Sequence, residues 1–137
     1  MEEIQKFNAV VLGIIYDPAK KKILIGRREN DPYIPKLTWC FPGGRLNNGD
    51  EVDRALKKQI KEKTGYEVKN LGAVFSKIMN EKEDLILIYF LTEVFSGQEK
   101  PDGNKIKELK WVDPEEIEKY FQTTFNPRLK EYLINLK

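Results

Sequence analysis

The sequence lacks histidine altogether and contains a single cysteine, Cys40, among its 137 residues. One cysteine excludes an internal disulfide framework and any Cys-x-x-Cys redox or zinc motif. The absence of histidine excludes Ser-His-Asp and Cys-His catalytic arrangements, as well as every metal site built on imidazole. If the protein is an enzyme, its chemistry must therefore rest on carboxylates, lysines, arginines, tyrosines or a metal held by oxygen atoms.

The chain also has little net charge and no long apolar run. Its 24 basic and 22 acidic residues leave a net charge of +2, which gives no electrostatic indication of nucleic-acid binding. The first three residues, Met1-Glu2-Glu3, are acidic where a signal peptide would be basic, and no apolar stretch approaches membrane-spanning length. We therefore expect a soluble cytoplasmic protein that binds neither nucleic acid nor a membrane.

The remaining pattern is an alternation of strand-like and helix-like segments. Apolar, β-branched stretches separated by proline, glycine and asparagine predict strands at residues 7–16, 22–28, 67–79, 85–95 and 106–112. Helical spacing of apolar residues predicts helices at residues 50–64, 114–120 and 127–136. Asp50, Asp113 and Asn126 are the expected N-caps, and Gly65 is the expected stop of the first helix. This order predicts one α/β domain over residues 1–137, a mixed sheet with helices packed on it.

The most informative stretch is residues 39–66, a strand, a glycine turn, a polar loop and a helix (WCFPGGRLNNGDEVDRALKKQIKEKTGY). Gly43 and Gly44 let the backbone approach a ligand closely, and Arg45 beside them offers a guanidinium fork suited to phosphate. A tight turn with an exposed arginine explains the same residues, and a glycine pair alone does not decide between the two interpretations.

This stretch closely resembles the signature of the Nudix hydrolases, G-x5-E-x7-R-E-U-x-E-E-x-G-U, in which U is aliphatic. Gly44 stands at the first position and Asp50 at the first acidic one. The remaining positions follow without insertion or deletion, as Lys58, Gln59, Ile60, Glu62, Lys63, Gly65 and Tyr66. The flanking residues 23–28, 39–44 and 109–116 are also similar to the family. The resemblance implies the Nudix fold, an α/β/α sandwich with a mixed β-sheet.

The resemblance also implies a chemistry, the attack of water on a diphosphate linked to some moiety X, assisted by Mg²⁺ or Mn²⁺. The substrate would be a nucleotide-type small molecule such as a nucleotide sugar, ADP-ribose or a nucleotide. Metal-binding carboxylates at i, i+3 and i+4 share one helix face, and a hard divalent cation prefers such oxygen ligands. On this basis Glu62 is the expected metal ligand or base, and the Gly44 carbonyl is a further metal ligand. Asp50 and Gln59 are the other catalytic candidates.

The box departs from the family pattern in one direction. Only Glu62 keeps its carboxylate, because Gln59 is neutral and Lys63 is a cation that would repel Mg²⁺ at close range. A further family carboxylate would lie near Asn104 or Lys105, neither of which is acidic, although Asp102 and Glu108 are close by in sequence. The departures therefore predict an atypical or weakened metal site.

Several alternatives stay open at this stage. Lys63 is either a tethered cation that holds a diphosphate, together with Gly43, Gly44, Arg28 and Arg45, or a solvated residue of a decayed site. The chain is accordingly a Nudix pyrophosphohydrolase acting on acid anhydrides, an inactive nucleotide-binding protein, or a partner module that kept only the fold. Tyr33 and Phe75 either stack on a base or pack in the core and loops. The sequence does not decide the substrate, nor whether the chain forms a homodimer through its N-terminal strands.

Overall fold

The structure is a computed structural model and describes residues 4–29, 31, 34 and 38–136. Within these residues the strands are β1 (Asn8–Asp17), β2 (Lys22–Arg27), β3 (Trp39–Cys40), β4 (Gly43–Arg45), β5 (Tyr66–Met79), β6 (Lys82–Gly97) and β7 (Glu108–Val112). The helices are α1 (Val52–Thr64), α2 (Ile117–Tyr120) and α3 (Pro127–Ile134). All the strands belong to one mixed sheet, as predicted.

Strand β1 lies at the centre of this sheet. One of its edges runs parallel to β6, and β5 continues the sheet beyond β6. Its other edge is shared, because β4 pairs with Val10–Leu12 while β2 pairs only with Ile15–Asp17. Strand β2 then continues to pair with β3 and, along its other edge, with β7. The chain segment that links β3 to β4 therefore fills the opening where β1 and β2 diverge.

The two faces of the sheet are covered by different helices. Alternate residues of a strand point to opposite faces, so neighbouring residues of β1 enter different cores. Val11 and Ile15 pack with Leu56 and Ile60 of α1 on one face. On the other face Ile14 belongs to the core that holds residues of α2 and α3, namely Ile117, Leu129 and Leu133. The arrangement is the predicted α/β/α sandwich.

Helix α1 ends at the predicted glycine but begins with a different cap from the predicted one. Gly65 ends the helix with a φ of 82°, and its N–H donates to the carbonyl of Lys61 at 2.9 Å, as expected. The N-cap is Glu51 and not Asp50, because the Glu51 carboxylate accepts hydrogen bonds from the N–H groups of Asp53 and Arg54. Asp50 was predicted wrongly here: its carboxylate closes the preceding turn by accepting from the N–H of Asn47 at 2.8 Å.

The C-terminal helices are shorter than predicted. Residues 114–120 begin as a 3₁₀ turn, Pro114–Glu116, and Asp113 makes no side-chain capping hydrogen bond. Asn126 does cap α3, by accepting from the N–H of Arg128 at 2.8 Å. Within the described part of the chain, none of the helices has the length and apolar character needed to cross a bilayer.

Candidate functional site

A cavity of about 340 Å³ lies beside the glycine turn that links β3 to β4. It adjoins the first half of β1, the ends of β5 and β6 nearest their connection, and the segment between α2 and α3. Much of its wall is apolar, formed by Val10, Leu12, Ile34, Phe41, Met79, Leu85, Leu87, Tyr89, Ile106, Phe121, Phe125 and Leu129. This volume and lining are typical of a pocket for a small molecule.

Basic side chains dominate the polar part of the cavity. The described lining residues include six bases, Arg28, Arg45, Lys63, Lys77, Lys82 and Lys105. The acidic residue among them is Asp31, which forms an ion pair with Arg28 at 3.0 Å. This excess of positive charge beside an apolar wall favours an anionic ligand that also has an apolar part.

Lys63 is the most unusual of these bases, because it is only 7% exposed. It lies in the last turn of α1, and its Nζ donates a hydrogen bond to the carbonyl oxygen of Gly43 on β4. Burial, helped by the positive charges of Lys105 and Arg28, lowers the pKa of the Lys63 ammonium to about 8. A buried ammonium that shares a cavity with other cations is typical of a functional site.

Gly43 and Gly44 allow the turn to sit tightly between β1 and α1. A Cβ on Gly43 would lie 2.0 Å from the carbonyl oxygen of Val11, and one on Gly44 would lie 2.5 Å from Oε1 of Gln59. The first oxygen belongs to the backbone of the central strand, so position 43 requires glycine, whereas the second is the end of a flexible side chain that can move aside. The carbonyl that faces Lys63 is therefore fixed in place by the sheet itself.

Burial also shifts the pKa of two other groups that line the cavity, Cys40 and Lys77. Burial raises the pKa of the Cys40 thiol to about 11, although the charges of Arg28 and Lys63 act in the opposite direction. Burial lowers the pKa of Lys77, whose Nζ donates to the carbonyl oxygen of Thr124 at 3.1 Å. Cys40 is therefore a protonated thiol at neutral pH and not a nucleophile.

Comparison with known proteins identifies the fold family. A family model described as NUDIX domain matches residues 6–136 of the chain. The chain belongs to the Nudix hydrolase family. It is 35% identical over 95 residues to the ADP-ribose pyrophosphatase of Methanocaldococcus jannaschii, a match that covers 67% of this chain and 54% of that protein. It is 25% identical over 131 residues to the 8-oxo-dGTP diphosphatase of Haemophilus influenzae, and this match covers 96% of this chain and 94% of that protein.

Solved structures share this fold. A MutT chain from work on Aliivibrio salmonicida and Vibrio cholerae superimposes with a TM-score of 0.72 at 21% identity, covering 95% of this chain and 98% of that one. The chain also matches a putative 8-oxo-dGTP diphosphatase of Bacillus subtilis, at 31% identity over 94 residues and 69% of this chain. The match spans between half and three fifths of the length of the Methanocaldococcus and Bacillus relatives.

The fold brings five of the predicted site residues of this Nudix chain to one cavity. These are Arg28, Gly43, Gly44, Arg45 and Lys63. The alternative that Lys63 is a solvated helix residue is wrong, since its side chain is buried. Gln59 is half-buried against Gly44. Glu62 and Asp50 are exposed and do not line the cavity.

Several cavity residues were not singled out by the sequence. Lys105 had a signal, because it lies where the Nudix resemblance implies a further carboxylate. Lys77, Lys82, Phe121 and Phe125 had none, because they come from segments that only the folded sheet brings together. Phe75 was considered for base stacking, but it packs on Tyr89 with 5.7 Å between ring centroids. Tyr33 lies outside the described residues.

The divalent cation that Nudix enzymes generally use does not fit these side chains. Among residues 4–29, 31, 34 and 38–136, no three acidic or thiol groups are arranged to hold a metal ion. Lys63 directs its ammonium to the Gly43 carbonyl, and the carboxylate of Glu62 stands on an exposed part of α1. The Lys63 ammonium therefore lies beside the glycine turn whose Gly44 carbonyl the resemblance implies as a metal ligand, and it would repel a divalent cation there. Among the described lining residues the carboxylate is that of Asp31, which is paired with Arg28.

Proposed function

We propose that this protein binds a nucleotide-type small molecule in the cationic cavity and hydrolyses its pyrophosphate bond slowly. The substrate would be a nucleoside diphosphate linked to X, such as a nucleotide sugar or ADP-ribose, or a nucleotide itself. The observation that carries the proposal is the group of basic side chains on one side of an apolar pocket. Phosphates are anionic and a nucleobase offers a flat, less polar surface, so the two parts of the cavity match the two parts of such a ligand.

The roles follow from where each group stands. Arg28, oriented by Asp31, and Arg45, on strand β4, offer guanidinium forks for phosphate oxygens. Gly43 and Gly44 keep the backbone of the turn close to the bound phosphates. The aromatic wall of Phe41, Tyr89 and Phe121 would contact the base or the moiety X.

We expect the hydrolysis to be slow, because few acidic groups are present to bind a metal or to activate water. Glu62 is the one carboxylate retained on the metal-binding positions of the box, and it is exposed. A second candidate function, nucleotide binding without hydrolysis, is favoured by the contact between Lys63 and the Gly43 carbonyl, which places a positive charge beside the turn where the usual cation is expected.

A substrate panel tests the proposal. The names of two relatives suggest ADP-ribose and 8-oxo-dGTP as members of the panel, and UDP-sugars represent the nucleotide sugars. Each compound is measured for binding and for phosphate or nucleotide release, with Mg²⁺ and with Mn²⁺. We expect at least one compound to bind, and we expect Arg45→Met to weaken its binding by about tenfold, since a charged hydrogen bond contributes roughly 1.5–3 kcal/mol.

The matched control is Arg54→Met, which removes an exposed arginine of α1 that does not line the cavity. It should bind like the wild type. The proposal is abandoned if no member of the panel binds or is hydrolysed, or if Arg45→Met and Arg54→Met bind equally well. Binding without any turnover selects the second candidate function.

A further inference from the structure

We propose that Lys63 and Lys105 hold the phosphates of the ligand in place of a divalent cation, so that the chain binds nucleotides without metal. This inference rests on the proposed function, because it concerns the phosphates of a nucleotide-type ligand. It concerns a departure of this chain from its family, since both lysines stand where the Nudix resemblance implies carboxylates.

The first observation is that two separate segments each carry a lysine at or near a position where the Nudix resemblance implies a carboxylate. Lys63 is in the last turn of α1, and Lys105 is in the loop that precedes β7. Both line the same cavity, and the charge of Lys105 acts on the ammonium of Lys63. A divalent cation carries two positive charges, and two protonated lysines supply the same charge from the protein itself.

The second observation is the way in which Lys63 is held. Ile60 and Thr64, its neighbours on α1, are completely buried, which fixes the helix turn that carries it. Its Nζ donates to the Gly43 carbonyl, and Gly43 is itself paired with Leu12 of the central strand. An ammonium has three N–H donors, so this contact leaves others available for phosphate oxygens.

The third observation is the absence of anionic ligands for a competing metal. Among the described residues that line the cavity, the acidic side chain is that of Asp31, and it is paired with Arg28. A metal at this turn would therefore meet the Lys63 ammonium. The nearby carboxylate of Asp102 also acts on the charge of Lys63, but it does not line the cavity and accepts hydrogen bonds from the N–H groups of Asn104 and Ile106. Lysine binds phosphate as a point charge, but unlike a metal it does not generate hydroxide from bound water. The lysines can therefore bind the phosphates without a metal, but they cannot replace the metal in hydrolysis.

Isothermal titration of ADP tests the inference, with excess EDTA in one series and excess Mg²⁺ in the other. We expect the wild-type affinity to agree within about twofold between the two series, because no metal bridges protein and phosphate. Lys63→Met and Lys105→Met should each weaken binding by about tenfold in EDTA, the usual effect of losing a charged hydrogen bond or a close charge.

Matched controls separate the cavity from the general loss of charge. Lys61→Met removes an exposed lysine from the same helix, and Lys100→Met removes an exposed lysine from the loop before β7. Neither residue lines the cavity, so both variants should bind ADP like the wild type. Circular dichroism and thermal melting establish that each variant is folded.

A second readout needs no nucleotide. Mn²⁺ titrated into the free wild-type protein and followed by electron paramagnetic resonance should show no site of submillimolar affinity. The double variant Gln59→Glu with Lys63→Glu restores two acidic positions of the box, and it should create such a site. If this variant does not fold, the wild-type titration and the Lys63→Met binding data still decide the question.

The outcomes distinguish this inference from the proposed function. ADP binding that is lost in EDTA, equal binding by Lys63→Met and the wild type, or a strong Mn²⁺ site in the free wild type would each overturn the inference alone. If ADP, ADP-ribose, 8-oxo-dGTP and UDP-sugars all fail to bind with or without Mg²⁺, the proposed function is wrong and the inference falls with it.

Discussion

Lys63 illustrates a conflict between stability and binding at the level of one side chain. Moving an ammonium out of water is unfavourable, and the single carbonyl contact at Gly43 offsets only part of that effect. The pKa of about 8 reflects this imbalance, since burial favours the neutral amine. The ammonium nevertheless keeps most of its charge at neutral pH, where a phosphate would be bound.

Cys40 offers a test of the electrostatics around the same cavity. Its pKa of about 11 lies above the ordinary thiol value of 9.0, so the folded protein contains less thiolate than the unfolded chain at every pH between these values. We expect alkylation of the folded protein by iodoacetamide at pH 8.5 to be slower by on the order of 100-fold than alkylation in denaturing urea. The rate for the folded protein should continue to rise towards pH 11.

Because Cys40 is the single cysteine of the sequence, the measured label is unambiguous. An alkylation profile of the folded protein that levels off near pH 9 would contradict the raised pKa. The control is the unfolded chain, whose profile should level off near the ordinary thiol pKa.

Helix α1 depends on its terminal glycine more than on the glycine of the preceding turn. Gly65 and Gly49 both have positive φ angles, 82° and 84°. A Cβ on Gly65 would lie 2.0 Å from the carbonyl oxygen of Gln98, whereas a Cβ on Gly49 would have nothing within 4 Å. We expect Gly49→Ala to cost about 1 kcal/mol of unfolding free energy, the usual strain of a left-handed alanine. Gly65→Ala should cost several kcal/mol, because steric overlap is added to that strain.

Urea denaturation of the two alanine variants measures this difference directly, since the backbone strain is matched and only the space differs. Equal losses of stability would show that the chain near Gln98 moves away easily and does not brace the end of α1. The same result would show that the loop that carries Lys105 is not held rigidly against the end of the helix.

The elements around α1 also show which parts of the fold can be predicted from local sequence patterns. The helix, its glycine stop and the glycine turn follow from local patterns, because capping and positive φ depend on neighbouring residues. Asp50 and Glu51 are adjacent acids, and only the turn at Asn47 decides which of them caps the helix. The burial of Lys63 also had a signal, since it lies three residues after Ile60 and seven after Leu56 on the apolar face. Glu62 stands off that face and is exposed.

The cavity itself could not be predicted from the sequence. Leu12, Lys77 and Phe121 lie far apart along the chain, and they meet only because the β5–β6 hairpin pairs with β1 and the segment after α2 lies against the same cavity. Local propensity does not specify contacts of this range. The resemblance predicts the fold and the box. The role of Lys63 and Lys105 can be inferred only from the structure, which shows that both line the same cavity.

At the scale of the whole molecule, the small net charge conceals a strongly uneven distribution. The chain carries only +2 in total, yet six basic residues line one cavity whose described acidic residue is Asp31. Such a local field attracts anions from solution and acts over distances set by the ionic strength. The overall charge of the protein therefore says little about its ligand.

Salt should consequently weaken nucleotide binding. Raising the ionic strength from about 0.01 M to about 0.1 M shortens the screening length from roughly 30 Å to roughly 10 Å. We expect the affinity for ADP to fall several-fold over this range, as measured by titration in sodium chloride. Sodium sulfate at equal ionic strength should weaken it further, because sulfate competes for the same basic groups. An affinity that does not change with salt would show that the exposed cavity bases contribute little.

The central position of β1 has a consequence for how the chain folds. Its parallel pairing joins Asn8 to Leu85, so the middle of the sheet closes only after more than half of the sequence has been brought back to the first strand. Contacts of this range slow folding, since a long loop must be ordered before the pairing stabilises it. The cavity is built on these same two strands and exists only after that step. A nucleotide that binds it should therefore slow unfolding while leaving the rate of folding unchanged.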